Sequence, residues 1–355
     1  MRSAVRGRGR ATGWALAALL LAAPWLGGCS VRRLAVRAAA NALGSGTDVY
    51  ATDDDPELVG AALPFALKTL EGLLEQDPQN RNLLLATSRG FTQYTFAFVQ
   101  LPAERAEADD FARSEQLRAR AIKLFLRARD YALRGLAIAH PGIDEELRRD
   151  PVAAAAKIDR DDLALAYWAA AAWGSAITVG KDHLELLADF PAVRALGERG
   201  LELDEAWEHG ALHALMLSVE AATPASLGGS PQKAKEHFER AVALGGGKDA
   251  LVYVNYAESV AVPAQDRTAF DDLLHKAQAI EIESAPELRL ANTLAQEKAT
   301  WLLAHADDYF LSDEPAPDEE PGTTDEPPTN DDSGDAHTDD PSADTPPPPH
   351  GDFSR

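Results

Sequence analysis

Apolar side chains recur every three or four residues through most of the chain, which is the spacing of one helix face. Helices are predicted over 56–76, 82–100, 109–139, 161–179, 189–202, 206–221, 231–244, 249–261, 266–280 and 287–310. Three pairs, Asp55-Pro56, Asp150-Pro151 and Ser230-Pro231, place a capping side chain before proline, as at many helix starts. No segment shows the two-residue alternation of a strand between turn residues. The pattern therefore predicts an all-α protein.

The predicted helices end in similar ways at regular intervals. Pro78, Pro141 and Asp204 lie 63 residues apart, and the later intervals shorten to 41 and 37 residues. The later spacing approaches the period of tetratricopeptide helix pairs. We therefore expect residues 56–310 to form degenerate tetratricopeptide-like helical repeats, packed as an α-solenoid or bundle. An ordinary helical bundle with coincidental similarity between its helix ends is the alternative.

Residues 1–28 have the composition of a bacterial lipoprotein signal peptide. Four arginines precede an apolar segment that is short for a membrane-spanning helix. This segment ends in Leu26-Gly27-Gly28-Cys29, the lipobox pattern of an aliphatic residue, two small residues and cysteine. Because Cys29 is the only cysteine of the chain, we expect it to carry the lipid. A retained anchor with a chance cysteine is the alternative.

Lipidation would place the rest of the chain at the periplasmic face of a membrane. The residue after the cysteine is Ser30 rather than Asp, which favours the outer membrane over the inner membrane. Residues 29–55 are expected to contain the lipidated cysteine, a short helix rich in Arg and Ala, and a linker interrupted by glycine. The sequence thus predicts a tethered periplasmic body.

Charge is distributed unevenly along the chain. The net charge is −23, and residues 311–355 contribute fourteen acidic side chains against a single basic one, Arg355. This segment also holds ten of the 22 prolines and little apolar material, so we expect a disordered, acidic, proline-rich tail. Binding of nucleic acid needs a basic surface, so no nucleic-acid partner is expected.

Signatures of catalysis are incomplete in this chain. The glycines and lysine at 245–248 lack the first glycine and the Ser or Thr of a phosphate-binding loop, and they read as a helix C-terminal cap. His209 and His213 stand four residues apart on a predicted helix, but no third ligand accompanies them, so packing is the preferred interpretation. We therefore expect no enzyme activity, no catalytic residue, no metal and no cofactor.

Two predicted helices carry aromatic residues that could line a groove. Segment 82–100 has three aromatic residues on one face, and segment 163–179 has no charge, so it must be enclosed on every side. The groove candidates are Phe91, Tyr94, Phe98, Trp168 and Trp173. One hypothesis for the occupant is an apolar small molecule or a partner helix. Simple filling of the core is the alternative.

Arginines recur every seven residues along the predicted helix 109–139, at Arg113, Arg120, Arg127 and Arg134. On a straight helix such positions share one side, opposite the apolar seam. The guanidinium fork suits bidentate binding of carboxylates. The hypothesis is that Arg127 and Arg134 contact acidic groups across a protein interface. Pairing with the protein's own acidic residues is the alternative.

Five segments form a distinctive set when taken together. They are 44–59 (GSGTDVYATDDDPELV), 83–87 (LLLAT), 127–136 (RARDYALRGL), 167–174 (YWAAAAWG) and 289–292 (RLAN). The set resembles the T-component (TatT) lipoproteins of TRAP transporters, over about residues 30–310. None of these segments is a catalytic motif, and the acidic tail departs from the family pattern.

The resemblance implies a periplasmic lipoprotein of degenerate tetratricopeptide-like helices that assembles as a homotrimer. It also implies association with the solute-binding P subunit of a tripartite ATP-independent periplasmic (TRAP) transporter, and a cleft or pore for an apolar ligand. We therefore expect a lipid-anchored scaffold or accessory subunit of such a transporter. The first alternative is an envelope-assembly repeat lipoprotein unrelated to transport, and the second is a hydrolase.

Overall fold

A computed structural model describes residues 49–225 and 228–311. The signal peptide predicted over 1–28, Cys29 and the tail beyond Leu311 lie outside the described residues. Within the described part of the chain the regular secondary structure is helical, and no strand is present. The prediction of an all-α fold is therefore confirmed.

The helices follow one another with short connections, several of which are single 3₁₀ turns. They are α1 (Pro56–Gln76), α2 (Arg81–Thr95), α3 (Leu101–Ala106), α4 (Phe111–Ala137), α5 (Ile143–Arg149), α6 (Pro151–Ala155), α7 (Leu163–Val179), α8 (Leu184–Leu187), α9 (Phe190–Leu203), α10 (Ala211–Ala222), α11 (Pro231–Leu244), α12 (Ala250–Tyr256), α13 (Arg267–Gln278) and α14 (Arg289–Ala304). Two π-helical turns, Phe96–Gln100 and Ala257–Ala261, directly continue α2 and α12.

The predicted helix starts are present and capped by the expected side chains. A carboxylate oxygen of Asp55 accepts a hydrogen bond from the backbone of Leu58 at 2.9 Å, and Asp150 caps α6 in the same way. The hydroxyl of Ser230 accepts from the backbone of Lys233 at 3.2 Å. Each cap satisfies an amide that the first helical turn leaves without a partner. The short sequence signals therefore place these boundaries correctly.

Several helix boundaries differ from the prediction; for example, the helix predicted over 287–310 ends at Ala304. The helix predicted over 206–221 begins only at Ala211, because Glu208 and His209 adopt left-handed backbone with φ of 44° and 58°. The helix predicted over 82–100 is α-helical only to Thr95, where the first π-turn begins. A π-turn adds one residue to a helical turn without a change in apolar composition, so the pattern alone does not reveal it.

Helices pack mainly on their neighbours in the order of the chain. Contacts run from α1 to α2, then to α4, α7, α9, α10, α11, α12, α13 and α14, as in helical-repeat proteins. The last helix, α14, also contacts α1. Backbone groups reinforce this contact, because the amide of Leu290 donates to the carbonyl of Ala51 at 3.0 Å. The last helix, α14, is therefore joined to the first helix and to the residues just before it.

The charge-free helix α7 lies at the centre of the packing. Ala170 and Trp173 are fully buried in one core cluster with residues of α4, α9 and α10. Small side chains allow neighbouring backbones to approach. Gly135 of α4 packs so closely on α7 that an added Cβ atom would lie only 2.6 Å from the nearest Leu165 carbon, which is too close for two carbon atoms. Ten of the 17 residues of α7 are buried and the others, apart from the exposed Thr178, are partly buried, so the enclosure that the absence of charge predicts is largely observed.

Candidate functional site

The four regularly spaced arginines form an exposed row on α4, which we call the arginine face: Arg113, Arg120, Arg127 and Arg134. The opposite side of α4 is buried, with Leu117, Ala121, Phe125 and Ala128 in the core. A seven-residue interval corresponds to about 10 Å along a helix, so the row is about 30 Å long. The outward direction predicted for the row is therefore observed.

Three of these arginines rest on aromatic rings. The guanidinium carbon of Arg127 lies 5.5 Å from the ring centroid of Phe91, and that of Arg120 lies 5.9 Å from the ring of Tyr94. Arg134 is placed 5.3 Å from the ring of Tyr131. A cation over a ring face within about 6 Å is attracted by the ring quadrupole. The rings therefore restrain the long arginine side chains where they emerge from the surface.

One carboxylate, that of Glu71 on α1, lies beside this row. It accepts a hydrogen bond from the Tyr131 hydroxyl at 2.7 Å and lies 3.6 Å from the Arg127 guanidinium. Partial burial opposes ionisation of Glu71, but hydrogen bonds from Lys68 and Tyr131 outweigh it and lower its pKa. Burial and the adjacent carboxylate raise the pKa of Tyr131 to about 12. Glu71 is thus an internal partner of Arg127.

The groove candidates of α2 lie under the arginine face. Phe91 is only 4% exposed and Tyr94 is buried as well, so both rings belong to the core. Phe98 is partly buried, packs 5.7 Å from the Tyr94 ring, and has its ring edge against the backbone of Gly60. The structure accounts for these rings by packing and by contact with arginine. A ligand groove at this place stays a prediction.

The two tryptophan candidates of α7 are placed apart from that face. Trp173 is fully buried, and its indole nitrogen donates a hydrogen bond to Asp189 at 3.2 Å. Trp168 is partly buried and forms an edge-to-face contact with Tyr167, with the Arg89 guanidinium 5.8 Å from its ring. Both tryptophans thus have packing partners among the described residues, and their place in a ligand groove stays a prediction.

A second candidate site lies where the last helix, α14, meets α3 and the second π-turn. Lys298 of α14 is only 8% exposed, and its ammonium donates to Glu104 of α3 and to Glu258, each at 2.8 Å. Glu258 lies in the second π-turn, and Gln100, the last residue of the first π-turn, donates its amide to Glu104 at 2.8 Å. Residues far apart in sequence thus converge on one buried ammonium.

The charges at this junction depend on one another. Burial disfavours the charged form of Lys298, but the two carboxylates outweigh it and raise the pKa of the ammonium. Burial raises the pKa of Glu258, in opposition to the lowering effect of Lys298. Lys298 is therefore a permanent cation, and the carboxylates depend on it for charge compensation.

A small cleft opens beside this network. Its volume is about 200 Å³, and its lining residues are Leu101, Glu104, Arg105, Glu107, Glu258, Lys298, Trp301 and Tyr309. A second cleft of about 120 Å³ lies on another side of α3 and shares Glu104 and Glu107. None of the five aromatic candidates lines either cleft. Charged and apolar side chains both contribute to the lining of each cleft.

The histidines weighed as metal ligands are separated by the late start of α10. His209 precedes the helix in left-handed backbone, whereas His213 lies on it and faces His237 of α11, with 2.8 Å between their Nδ1 atoms. Burial lowers the pKa of both His213 and His237. The pair therefore belongs to the packing between two helices.

Residues 52–310 match the sequence model of the family described as TRAP transporter T-component. The chain belongs to the TRAP transporter T-component family. It is also 32% identical over 316 residues to an uncharacterized protein of Treponema pallidum (strain Nichols), a match that covers 84% of this chain and 97% of the relative. Membership associates the protein with a TRAP transporter. The family is an accessory component of that system rather than a known family of enzymes.

The T-component contains one feature that sequence reasoning missed, the Lys298 network. The available signal was the position of Lys298 within the buried stripe of α14, between Ala295 and Leu302. A lysine on an apolar helix face needs a partner, because an isolated buried ammonium is very costly. Its partners could not be identified from the sequence, since they lie 194 and 40 residues away.

In the part of the chain that the structure describes, no helix is both long enough and apolar enough to span a membrane. The charge-free helix α7 has 17 residues and is covered by its neighbours. Its apolar composition is therefore explained by burial within the repeat stack.

Proposed function

We propose that the protein is an accessory subunit of a TRAP transporter that binds the periplasmic solute-binding protein, the P subunit, of the same system. The observation that carries this proposal is the family match over 52–310, which covers the helical repeats. Stacked helical repeats commonly offer extended surfaces for protein partners. The structure supports the proposal with a long exposed row of arginines on α4.

The place of the protein in the cell is part of the same proposal. The lipobox that ends in Cys29 supports a lipid anchor at the periplasmic face of a membrane, and Ser30 supports the outer membrane. Two or more acyl chains give stable anchoring, since each buried methylene contributes about 0.8 kcal/mol. Assembly as a homotrimer and binding of an apolar small molecule are further proposals, which the resemblance to TatT lipoproteins supports.

Co-purification tests the central proposal. The native protein, extracted with mild detergent, should retain the P subunit encoded with the same transporter, as identified by mass spectrometry. The purified mature proteins should then bind each other in a titration, whereas the solute-binding protein of an unrelated transporter should not bind. Light scattering on the same sample measures the number of copies. Absence of binding between the two purified proteins would contradict the proposal and favour the envelope-assembly alternative.

A further inference from the structure

Helix α4 has a charge opposite to that of the protein as a whole. It carries seven basic and two acidic residues, although the chain has a net charge of −23. The row of four arginines is exposed along its whole length, from Arg113 to Arg134. A local positive field on an acidic protein guides the approach of an acidic partner surface.

The arginine face is ordered before any partner arrives. Arg120, Arg127 and Arg134 each lie over an aromatic ring, and Arg120 also donates a hydrogen bond to the Tyr94 hydroxyl at 3.2 Å. Holding a flexible side chain in place removes part of the entropy cost of binding. The rings themselves are largely covered, so the surface offered to a partner consists of guanidinium groups.

The acidic residues that the structure describes leave most of this face unpaired. Among the residues that the structure describes, no carboxylate lies within 4.0 Å of the guanidinium nitrogens of Arg113, Arg120 or Arg134. Glu71 is 3.6 Å from Arg127 and is also engaged by Lys68 and Tyr131. Most donors of the face are therefore directed to solvent in this structure.

We infer that the arginine face is the docking surface for an acidic patch of the P subunit, an inference that rests on the proposed function. The partner surface should present carboxylates about 10 Å apart, the spacing of guanidinium groups seven residues apart on a helix. A guanidinium group binds a carboxylate through two parallel hydrogen bonds, which fixes orientation as well as proximity. A lipid surface is the less suitable occupant, because the acidic body would be repelled by anionic headgroups.

Binding kinetics with matched variants test this inference. The decisive variant replaces three arginines that lie on rings, Arg120→Gln, Arg127→Gln and Arg134→Gln. The control removes three positive charges from exposed positions outside α4: Arg149→Gln, Lys235→Gln and Lys276→Gln. Both variants have the same net charge, so a difference between them reports the position of the charge. Thermal melting of both variants confirms that they are folded.

The decisive variant should associate with the purified P subunit about tenfold more slowly than the control at low salt. Its association rate should also depend less steeply on salt concentration. Replacing the same three arginines by lysine retains the charge but removes the planar guanidinium group, which binds a carboxylate through two hydrogen bonds. This variant should therefore keep the association rate and dissociate faster. Equal kinetics for the decisive and control variants would overturn the inference.

Two further measurements exclude other occupants. A change in oligomer size of the decisive variant, seen by light scattering, would assign the face to contacts between copies of this chain. Loss of binding to vesicles that contain anionic phospholipid, with unchanged P-subunit binding, would assign it to the membrane. Failure of the wild-type protein to bind the P subunit would contradict the proposed function itself, whereas wild-type binding without an effect of the decisive variant would contradict only this inference.

Discussion

At the scale of single residues, the Lys298 ammonium compensates the charge of two neighbouring carboxylates. Its ammonium is the common partner of Glu104 and Glu258, whose side chains are about one third exposed. Breaking a buried ion pair by removing one partner leaves the other charge uncompensated. The junction of α14 with α3 and the second π-turn therefore depends on one lysine.

Replacing Lys298 by Met tests this dependence. We expect a loss of about 2 kcal/mol in the free energy of unfolding near pH 7.5, at the low end for a buried pair because the carboxylates are partly solvated. Without the lysine, burial and the nearby Glu104 carboxylate should raise the pKa of the Glu258 carboxyl group in the folded state. The folded state then binds protons more readily than the unfolded state, so stability should recover as the pH falls towards 5.

The measurement is urea unfolding of Lys298→Met and wild type at both pH values. Lys235→Met is the control, because Lys235 is exposed and its one carboxylate contact, to Glu239 at 3.9 Å, is on the surface. An equal loss of stability at pH 5 and pH 7.5 would show that the effect of Lys298→Met is not electrostatic.

At the scale of helices, the charge-free helix α7 shows how composition determines position. A helix without a polar face must be covered on all sides, and Ala170 and Trp173 are indeed fully buried. Alanine occupies five of the ten buried positions of α7 and brings neighbouring helices close together. This packing leaves no space for a larger or charged side chain at these positions.

The substitution Ala170→Asp should destabilise the protein by about 3–5 kcal/mol, because it places an unpaired carboxylate in the core. The control is Thr178→Asp, which adds the same charge to an exposed position of the same helix. It should cost at most about 1 kcal/mol, chiefly from its place near the helix C-terminus. Chemical unfolding of the two variants checks the contrast, and similar stabilities would contradict the buried position of Ala170.

The sequence predicts these helices better than it predicts how they join. Asp-Pro and Ser-Pro pairs identify helix starts because capping is a local interaction within one turn. The π-turn at Ala257–Ala261 and the left-handed residues before Ala211 arise from tertiary packing, so local patterns do not reveal them. The same reasoning applies to the candidate sites. Heptad spacing predicts the arginine face, whereas the partners of Lys298 come from distant segments.

At the scale of the whole molecule, the two chain ends differ in charge and in expected role. Four arginines precede the apolar segment of the predicted signal peptide, whereas fourteen acidic residues lie in 311–355. The repeats between them carry the contact of α14 with α1 and the exposed arginine face of α4. Tethering at one end would restrict diffusion of the repeats to the membrane surface, which raises the effective concentration of a partner held there.

The lipid anchor predicted at Cys29 is the last testable feature. Cells grown with an alkyne-labelled fatty acid should incorporate the label into the wild-type protein and not into Cys29→Ala. Intact mass should give a mature chain that begins at residue 29 and carries the acyl groups. The thiol of Cys29 would accept the diacylglyceryl unit of a lipoprotein, and it is the only thiol of the chain. Both observations therefore depend on this residue alone.

Ser45→Ala is a suitable control, since it changes a small residue of the linker and leaves the lipobox intact. It should be labelled and processed like the wild type. If the wild-type protein kept residues 1–28 and carried no label, the apolar segment would itself be the anchor. Because acyl chains bind by burying methylene groups rather than by charge, the anchored protein should also remain in the membrane fraction after washes at high salt, which screens exposed charges.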